Sequence, residues 1–224
     1  MPTLPDLPQT EIAIVEMTNA FRKENRLGEV KPNAALVAAA RAFAEYLART
    51  GKFAHEADGR EPAERATAQG YRYCLVAENL ALNLDSRGFQ TSQLAGHVLK
   101  GWKESPGHRA NLLQVAATEI GVAVVRAPDR DPKFISVQLF GRPEALKVSF
   151  RIENRSGVTL RYRLGSRSHD LQPRAIATHA DCSLQQLGFD GVPAAQSKFE
   201  PRNGDRYVLT GSATGALKVD VVRK

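Results

Sequence analysis

The residue types that could do chemistry are densest between Gly101 and Leu113, which reads Gly-Trp-Lys-Glu-Ser-Pro-Gly-His-Arg-Ala-Asn-Leu-Leu. Ser105 followed by Pro106 is a helix start: a hydroxyl at the N-cap, then proline at the first helical position. His108 then falls in the first helical turn, where the positive end of the helix dipole disfavours its protonation. A neutral imidazole is what metal ligation or general-base work needs. A lone first-turn histidine more often does no more than bond a neighbour, so His108 becomes a site only with partners. Leu112 and Leu113 give this helix an apolar side to bury, and Trp102 requires a buried place with an acceptor for its indole N–H.

Other reactive side chains are sparse. Phe53-Ala54-His55 opens a loop that turns at Asp58-Gly59, and Ala77-Glu78-Asn79-Leu80-Ala81 sets an acid and an amide among apolar neighbours. Cys74 and Cys182 are the two cysteines, with no C-x-x-C spacing for zinc. They read either as two buried thiols or, in an oxidising compartment, as one disulfide. His169, Asp170, His179 and Cys182 contain metal-ligating types, but at a spacing that matches no known signature.

These groups must be held by a scaffold. The hydrophobic fraction of 42% and charged fraction of 25% are those of an ordinary globular protein, and no apolar run approaches the roughly 20 residues of a bilayer span. Residues 1–9 hold three prolines and read as an extended leader. A helix capped by Thr10 should run to about Asn25. A second, capped by Asn33 and stopped at Gly51, carries Leu36, Ala40, Phe43 and Leu47 at helical spacing. A short helix over about Glu61–Gln69, a strand over Tyr71–Val76 and a helix over Thr91–Glu104 follow. Glu119–Arg126 and Phe134–Phe140 form an antiparallel hairpin around a proline- and aspartate-rich turn. Both strands are apolar for most of their length, so helices should cover both faces.

The character changes after Pro143. Val148, Phe150 and Ile152, then Leu160, Tyr162 and Leu164, then Tyr207 and Leu209, then Leu217, Val219 and Val221 repeat with period two. This reads as a small all-β sandwich-like domain over residues 146–224, about eighty residues and near the lower size for a core of its own. Of the net charge of +7, +6 belongs to this part: residues 1–145 hold 18 Lys+Arg against 17 Asp+Glu, residues 146–224 hold 13 against 7. Arg151, Arg161 and Arg163 share the polar side of their strands, either an anion-binding wall or a solvated face.

From about Thr10 to Arg142 the chain resembles the CAP superfamily of cysteine-rich secretory, antigen 5 and pathogenesis-related proteins, most of all its compact bacterial, SCP-like branch. The resemblance rests on pieces in order: Asn19 to Arg26 with Gly28, Asn33 with Leu36, Phe53-Ala54-His55, Ala77 to Ala81, Trp102 with Ser105 to Leu113, and Ile120-Gly121-Val122. It implies a three-layer α-β-α sandwich with a mostly antiparallel sheet over residues 10–145, ahead of the basic all-β accessory domain. It implies that His55, Glu78 and His108 converge in a cleft. The family's fourth residue, an acid three positions after the tryptophan in animal and plant members, is Ser105 here. Glu104 beside it would point about 100° away on a helix and does not replace it.

Two neutral imidazoles, His55 and His108, could ligate a divalent ion such as zinc, with Glu78 as base or as the acceptor that orients a histidine. The same trio could instead be a polar network that braces loops without catalysis. Two readings follow. One is an extracytoplasmic protein, secreted or periplasmic, that binds a small-molecule, lipid-like or peptide ligand in the His/Glu cleft while the basic β-domain contacts an anionic envelope polymer. The other is a metal-assisted hydrolase of an envelope peptide or glycan. The sequence begins on a proline-rich segment without a signal peptide, so export implies a leader removed from the chain. Nucleic-acid binding has no recognised fingerprint and no aromatic–basic interleaving behind it.

Overall fold

The computed structural model describes residues 2–183, 185–211 and 216–223. The chain divides into two compact units, Met1–Ala145 and Leu146–Lys224.

In the first unit the elements are α1 (Leu7–Glu24), β1 (Lys31–Pro32), α2 (Ala34–Thr50), α3 (Pro62–Ala68), β2 (Tyr73–Leu84), α4 (Thr91–Glu104), α5 (Pro106–Leu112), β3 (Glu119–Arg126) and β4 (Lys133–Pro143). The strand order is β1-β3-β4-β2. The β3–β4 and β4–β2 pairs are antiparallel and the two-residue β1 runs parallel to β3. Alternation along β3 and β4 feeds two cores. Ile120, Val122, Val124, Phe134 and Phe140 pack with Ile14 and Phe21 of α1 and with Leu94, Val98 and Trp102 of α4. Ala123, Ile135, Val137 and Leu139 pack with Leu36, Phe43 and Leu47 of α2 and Ala66 of α3. The result is the α-β-α sandwich, with apolar residues needed on both strand faces because helices cover both. Gly121 lets α2 approach the sheet: a Cβ there would overlap the Leu36 backbone carbonyl.

Two local expectations are corrected. The leader over residues 1–9 is not extended throughout. α1 begins at Leu7, and the Asp6 carboxylate, not Thr10, caps it by accepting from Gln9 N. Pro8 falls in the first turn, where a missing N–H costs nothing. Thr10 is already helical and its hydroxyl donates to the Asp6 carbonyl. Ahead of the helix, Thr3 is tied to the 87–89 loop, its N–H donating to Arg87 O at 2.9 Å and its carbonyl accepting from Phe89 N at 3.0 Å. Met1, the first residue of that leader, lies outside the described residues. The second correction concerns β2. It does not end at Val76 but continues to Leu84 through the Glu78 motif, so the acid sits in mid-strand. Glu78 interrupts the apolar pattern without interrupting the backbone pairing, in register with Leu139.

The second unit holds β5 (Val148–Asn154), β6 (Leu160–Leu164), β7 (Arg167–Leu171), β8 (Ile176–Asp181), β9 (Leu187–Phe189), β10 (Lys198–Phe199), β11 (Arg206–Gly211) and β12 (Leu217–Val222). They form two four-stranded sheets, β10-β9-β6-β7 and β12-β11-β5-β8. Phe150, Ile152, Leu160, Tyr162, Leu187, Tyr207, Leu209 and Val219 make one buried core. β7 and β8 escape the apolar period-two pattern because imidazoles take inward places. His169 pairs in register with Tyr162 and stacks on it, and His179 does the same with Phe150.

Candidate functional site

β2 is the edge strand beside β4, and consecutive residues on it face opposite helix layers. Glu78 points to the side of α2 and α3, Asn79 to the side of α1 and α4. Each nucleates a separate polar network, and the two meet at the strand's outer edge.

On the Glu78 side, the loop after α2 brings in His55. That loop is pinned by the Tyr46 hydroxyl, which donates to Ala57 O at 2.9 Å, and it turns at Gly59 with φ 77°. His55 Nδ1–H donates to Glu78 Oε1 at 2.8 Å. The other oxygen, Oε2, accepts from Arg65 Nη2 at 2.8 Å. Arg65 is buried on α3 and also donates through Nη1 to Asp58 Oδ1 at 2.8 Å and to Arg60 O at 2.7 Å. Its guanidinium lies 3.5 Å from the centre of the Phe43 ring. The Glu78 side chain is 1% exposed and that of His55 50%. Burial pushes the Glu78 carboxyl above its ordinary range, and Arg65 and His55 oppose that push. A carboxylate behind Nδ1 fixes the His55 tautomer and leaves Nε2 with its lone pair free.

On the Asn79 side, α5 is fastened to the strand edge. Asn111 Nδ2 donates to the Glu78 carbonyl and to Asn79 Oδ1, both at 2.9 Å, and Trp102 Nε1 donates to the Leu80 carbonyl at 2.9 Å. Side chains thereby satisfy backbone acceptors that an edge strand would otherwise leave open. Asn79 Nδ2 donates to His108 O at 3.2 Å and to Gln138 Oε1 at 3.0 Å, and Gln138 Nε2 donates to Thr18 Oγ1 at 3.0 Å. Arg22, buried on α1 and paired with no carboxylate among the described residues, donates to Leu112 O at 2.9 Å and Gln114 O at 3.0 Å. A cation on the last carbonyl of α5 and on one just past its end complements the negative end of that helix.

His108 sits where the Ser105-Pro106 start places it, with Ser105 at the N-cap and Pro106 opening α5, but the Ser105 hydroxyl makes no capping bond. Its pKa is lowered, as the sequence suggests, though for other reasons: burial first, then the charge of a protonated His55. The charge of His55 is thus felt at His108. Glu104 stands apart, 3.8 Å from Lys100 on the exposed side of α4.

Arg65 escapes the motif reading. The signal was Glu78 itself, since a carboxylate in an apolar strand demands a cation or donors, but which of the many basic residues answers is settled only by the fold. Asn111 lies inside the histidine motif, and its part, bonding the strand edge, is equally invisible in one dimension.

The donor chemistry fits a zinc ion held by histidines: Nε2 of His55 is free and His108 is kept neutral. Glu78 fits as the acceptor behind His55, not as a ligand, because it is buried, 1% exposed, behind His55 and Arg65. Among the described residues no group of three His, Cys, Asp or Glu is placed to hold a metal ion. In the second unit the set His169, Asp170, His179 and Cys182 is not a metal site. Asp170 is bound by Arg161 at 2.9 Å, Cys182 is disulfide-bonded, and the imidazoles stack on aromatic rings. Cys74 is disulfide-bonded too, so the reading as free thiols is overturned.

An α-β-α sandwich whose edge strand carries a buried acid between a histidine loop and a histidine helix defines a class of small-domain scaffold. The model of the cysteine-rich secretory protein family, CAP, matches residues 15–140, more than half of the chain, and the chain belongs to that family. It is similar to YkwD of Bacillus subtilis (strain 168), 30% identical over 118 residues that make up 52% of this chain and 43% of YkwD. The match thus spans less than half of that relative's length. Among solved structures it is similar to an outer surface protein from Borrelia burgdorferi, at 22% identity and a TM-score of 0.51, over 60% of this chain and 93% of that one. That likeness bears on the fold.

Proposed function

We propose that this protein is an extracytoplasmic binding protein. In this reading His55 and His108 present polar groups to a small, lipid-like or peptide ligand at the edge of the sheet, and the basic β-unit contacts an anionic envelope polymer. The observation that carries the reading is the commitment of Glu78. Its two oxygens bond His55 and Arg65 and its side chain is 1% exposed, so it acts as a positioning residue shut off from solvent water. The disulfide-bonded cysteines favour an oxidising compartment. No helix among the described residues is long and apolar enough to cross a membrane. For the polymer contact, the surplus of basic residues speaks in favour, although Arg161 and Arg163 are already paired with Asp170 and Asp190.

Hydrolysis is the second reading, favoured by the His55 tautomer. His55 and His108 would hold the zinc, Glu78 would orient His55, and the metal would supply Lewis acidity. Titration of the full chain with zinc and with a cell-wall stem peptide, followed by NMR of the imidazole Cε1–H signals, separates the two. The expected result is that the signals of His55 and His108 move together on ligand addition while the peptide stays intact. Cleavage of the peptide that requires both histidines would establish the hydrolase instead, and unmoved signals with both additions would overturn the site.

A further inference from the structure

Beside the histidine site, against α2 and α3, lies a cavity of about 340 Å³ that shares Arg65 and Asp58 with the Glu78 network but contains neither histidine. Its walls are made by Phe43, Tyr46 and Arg49 of α2, Asp58 and Arg60 of the histidine loop and Arg65 of α3. The volume falls in the range of small-ligand sites.

The charge of this wall is strongly unbalanced. Three guanidinium groups face one carboxylate, and Asp58 is already taken by Arg65 Nη1 at 2.8 Å and the Arg60 backbone N–H at 3.2 Å. Neither Arg49 nor Arg60 pairs with a carboxylate among the described residues. The aromatic rings continue the pattern. Phe43 and Tyr46 are stacked with centroids 6.4 Å apart, Arg65 covers the first and Arg49 lies 5.7 Å from the second. Arg65 is paired with Asp58 and Glu78, each at 2.8 Å, so the cations this wall orders without neutralising are Arg49 and Arg60.

A second observation points to a ligand. Arg65 lines the cavity yet is only 5% exposed, and its buried Nε–H has no hydrogen-bond partner among the described residues. A buried donor on a charged group is costly to leave unmade, and a guanidinium presents its N–H groups in the fork that matches an oxyanion.

We infer that this cavity is an anion-binding site for a small ligand carrying a phosphate or carboxylate, received by Arg49 and Arg60 at the mouth and by the Arg65 Nε–H at the wall. Recognition rests on oxyanion chemistry, which phosphate and sugar acids share. The site shares Arg65 with the histidine network, since Arg65 Nη2 also holds Glu78, but Arg49 and Arg60 at its mouth contact neither histidine nor Glu78 among the described residues.

Calorimetric titration of the full chain with inorganic phosphate and, separately, with glucuronate tests it. Wild type should bind at least one of the two saturably at a single site, and which one it binds tells the phosphate source from the carboxylate source. The double variant Arg49→Ala/Arg60→Ala changes only exposed side chains, so it should keep its circular dichroism and thermal midpoint while losing at least tenfold in affinity. Arg161→Ala, an exposed change in the second unit, should bind as wild type does. Absence of saturable binding of both probes would overturn the inference. So would affinity unchanged in the folded double variant, or an equal loss in Arg161→Ala.

Discussion

Each unit of the molecule holds a pair of neighbouring histidines, and the two pairs are built differently. In the first unit His55 is half-exposed and braced through Nδ1 by the buried Glu78 carboxylate, and His108 lies within its electrostatic reach. In the second unit the rings of His169 and His179 lie 5.5 Å apart in a nest of aromatic rings, His179 Nε2 accepts from the Tyr162 hydroxyl at 2.8 Å, and no carboxylate stands behind either ring among the described residues. His179 is held below its ordinary pKa by burial and by the charge of His169, the same two causes that act on His108. Proximity and a lowered pKa are therefore common to both pairs and do not by themselves mark a site. What separates them is the acid that fixes a tautomer and leaves Nε2 open to solvent. In the second pair the imidazoles serve as packing rings.

The largest expected effect comes from removing that acid. Glu78→Ala leaves Arg65 buried with Asp58 as its sole carboxylate and should lower stability by about 3 kcal/mol, the low end for breaking a buried pair. Tyr162→Phe, which removes the polar contact of the other pair and keeps its ring, should cost about 1 kcal/mol. Urea unfolding of the two variants measures both. Equal losses would erase the distinction between a charged brace and a packing contact.

The smallest effect is a shared one and concerns pH. A histidine whose folded-state pKa is lowered binds fewer protons folded than unfolded once the pH drops below about 6.5, so its contribution to stability is full above that value and declines as the pH falls toward the lowered one. His108 and His179 should both contribute to a fall in the urea midpoint between about pH 7.5 and 5, and His179→Gln should flatten it. Removing the neighbour, by His55→Ala in one pair or His169→Ala in the other, should raise the NMR titration midpoint of the remaining histidine only part of the way, because burial is the first cause in each. Full recovery of the ordinary value in either variant would show that charge, not burial, dominates there.

Much of the scaffold was legible in one dimension because local rules determine it. Asn33 and Gly51 bound α2 through a side-chain cap and a left-handed C-cap, Thr91 to Glu104 is α4, and the proline- and aspartate-rich segment before Lys133 turns β3 into β4. The motif pieces were enough to nominate His55, Glu78 and His108. The start of α1 was misplaced because Asp6 and Thr10 are both good caps, and the position of Pro8 chose between them. The reach of β2 was missed because a buried acid breaks an apolar run without breaking a hydrogen-bonded ladder. β7 and β8 were missed because histidine reads as polar in a sequence and packs as an aromatic ring in a core. Only the tertiary structure decided that Arg65 answers Glu78, that Asn111 and Trp102 close the strand edge, and that three arginines surround one cavity. The partners of the strand lie between 13 and 33 residues from the groups they serve, and no periodicity links them. The physical reason is that charge pairing and hydrogen bonding are set by distance in space, whereas helix caps, turns and strand alternation are set by distance along the chain.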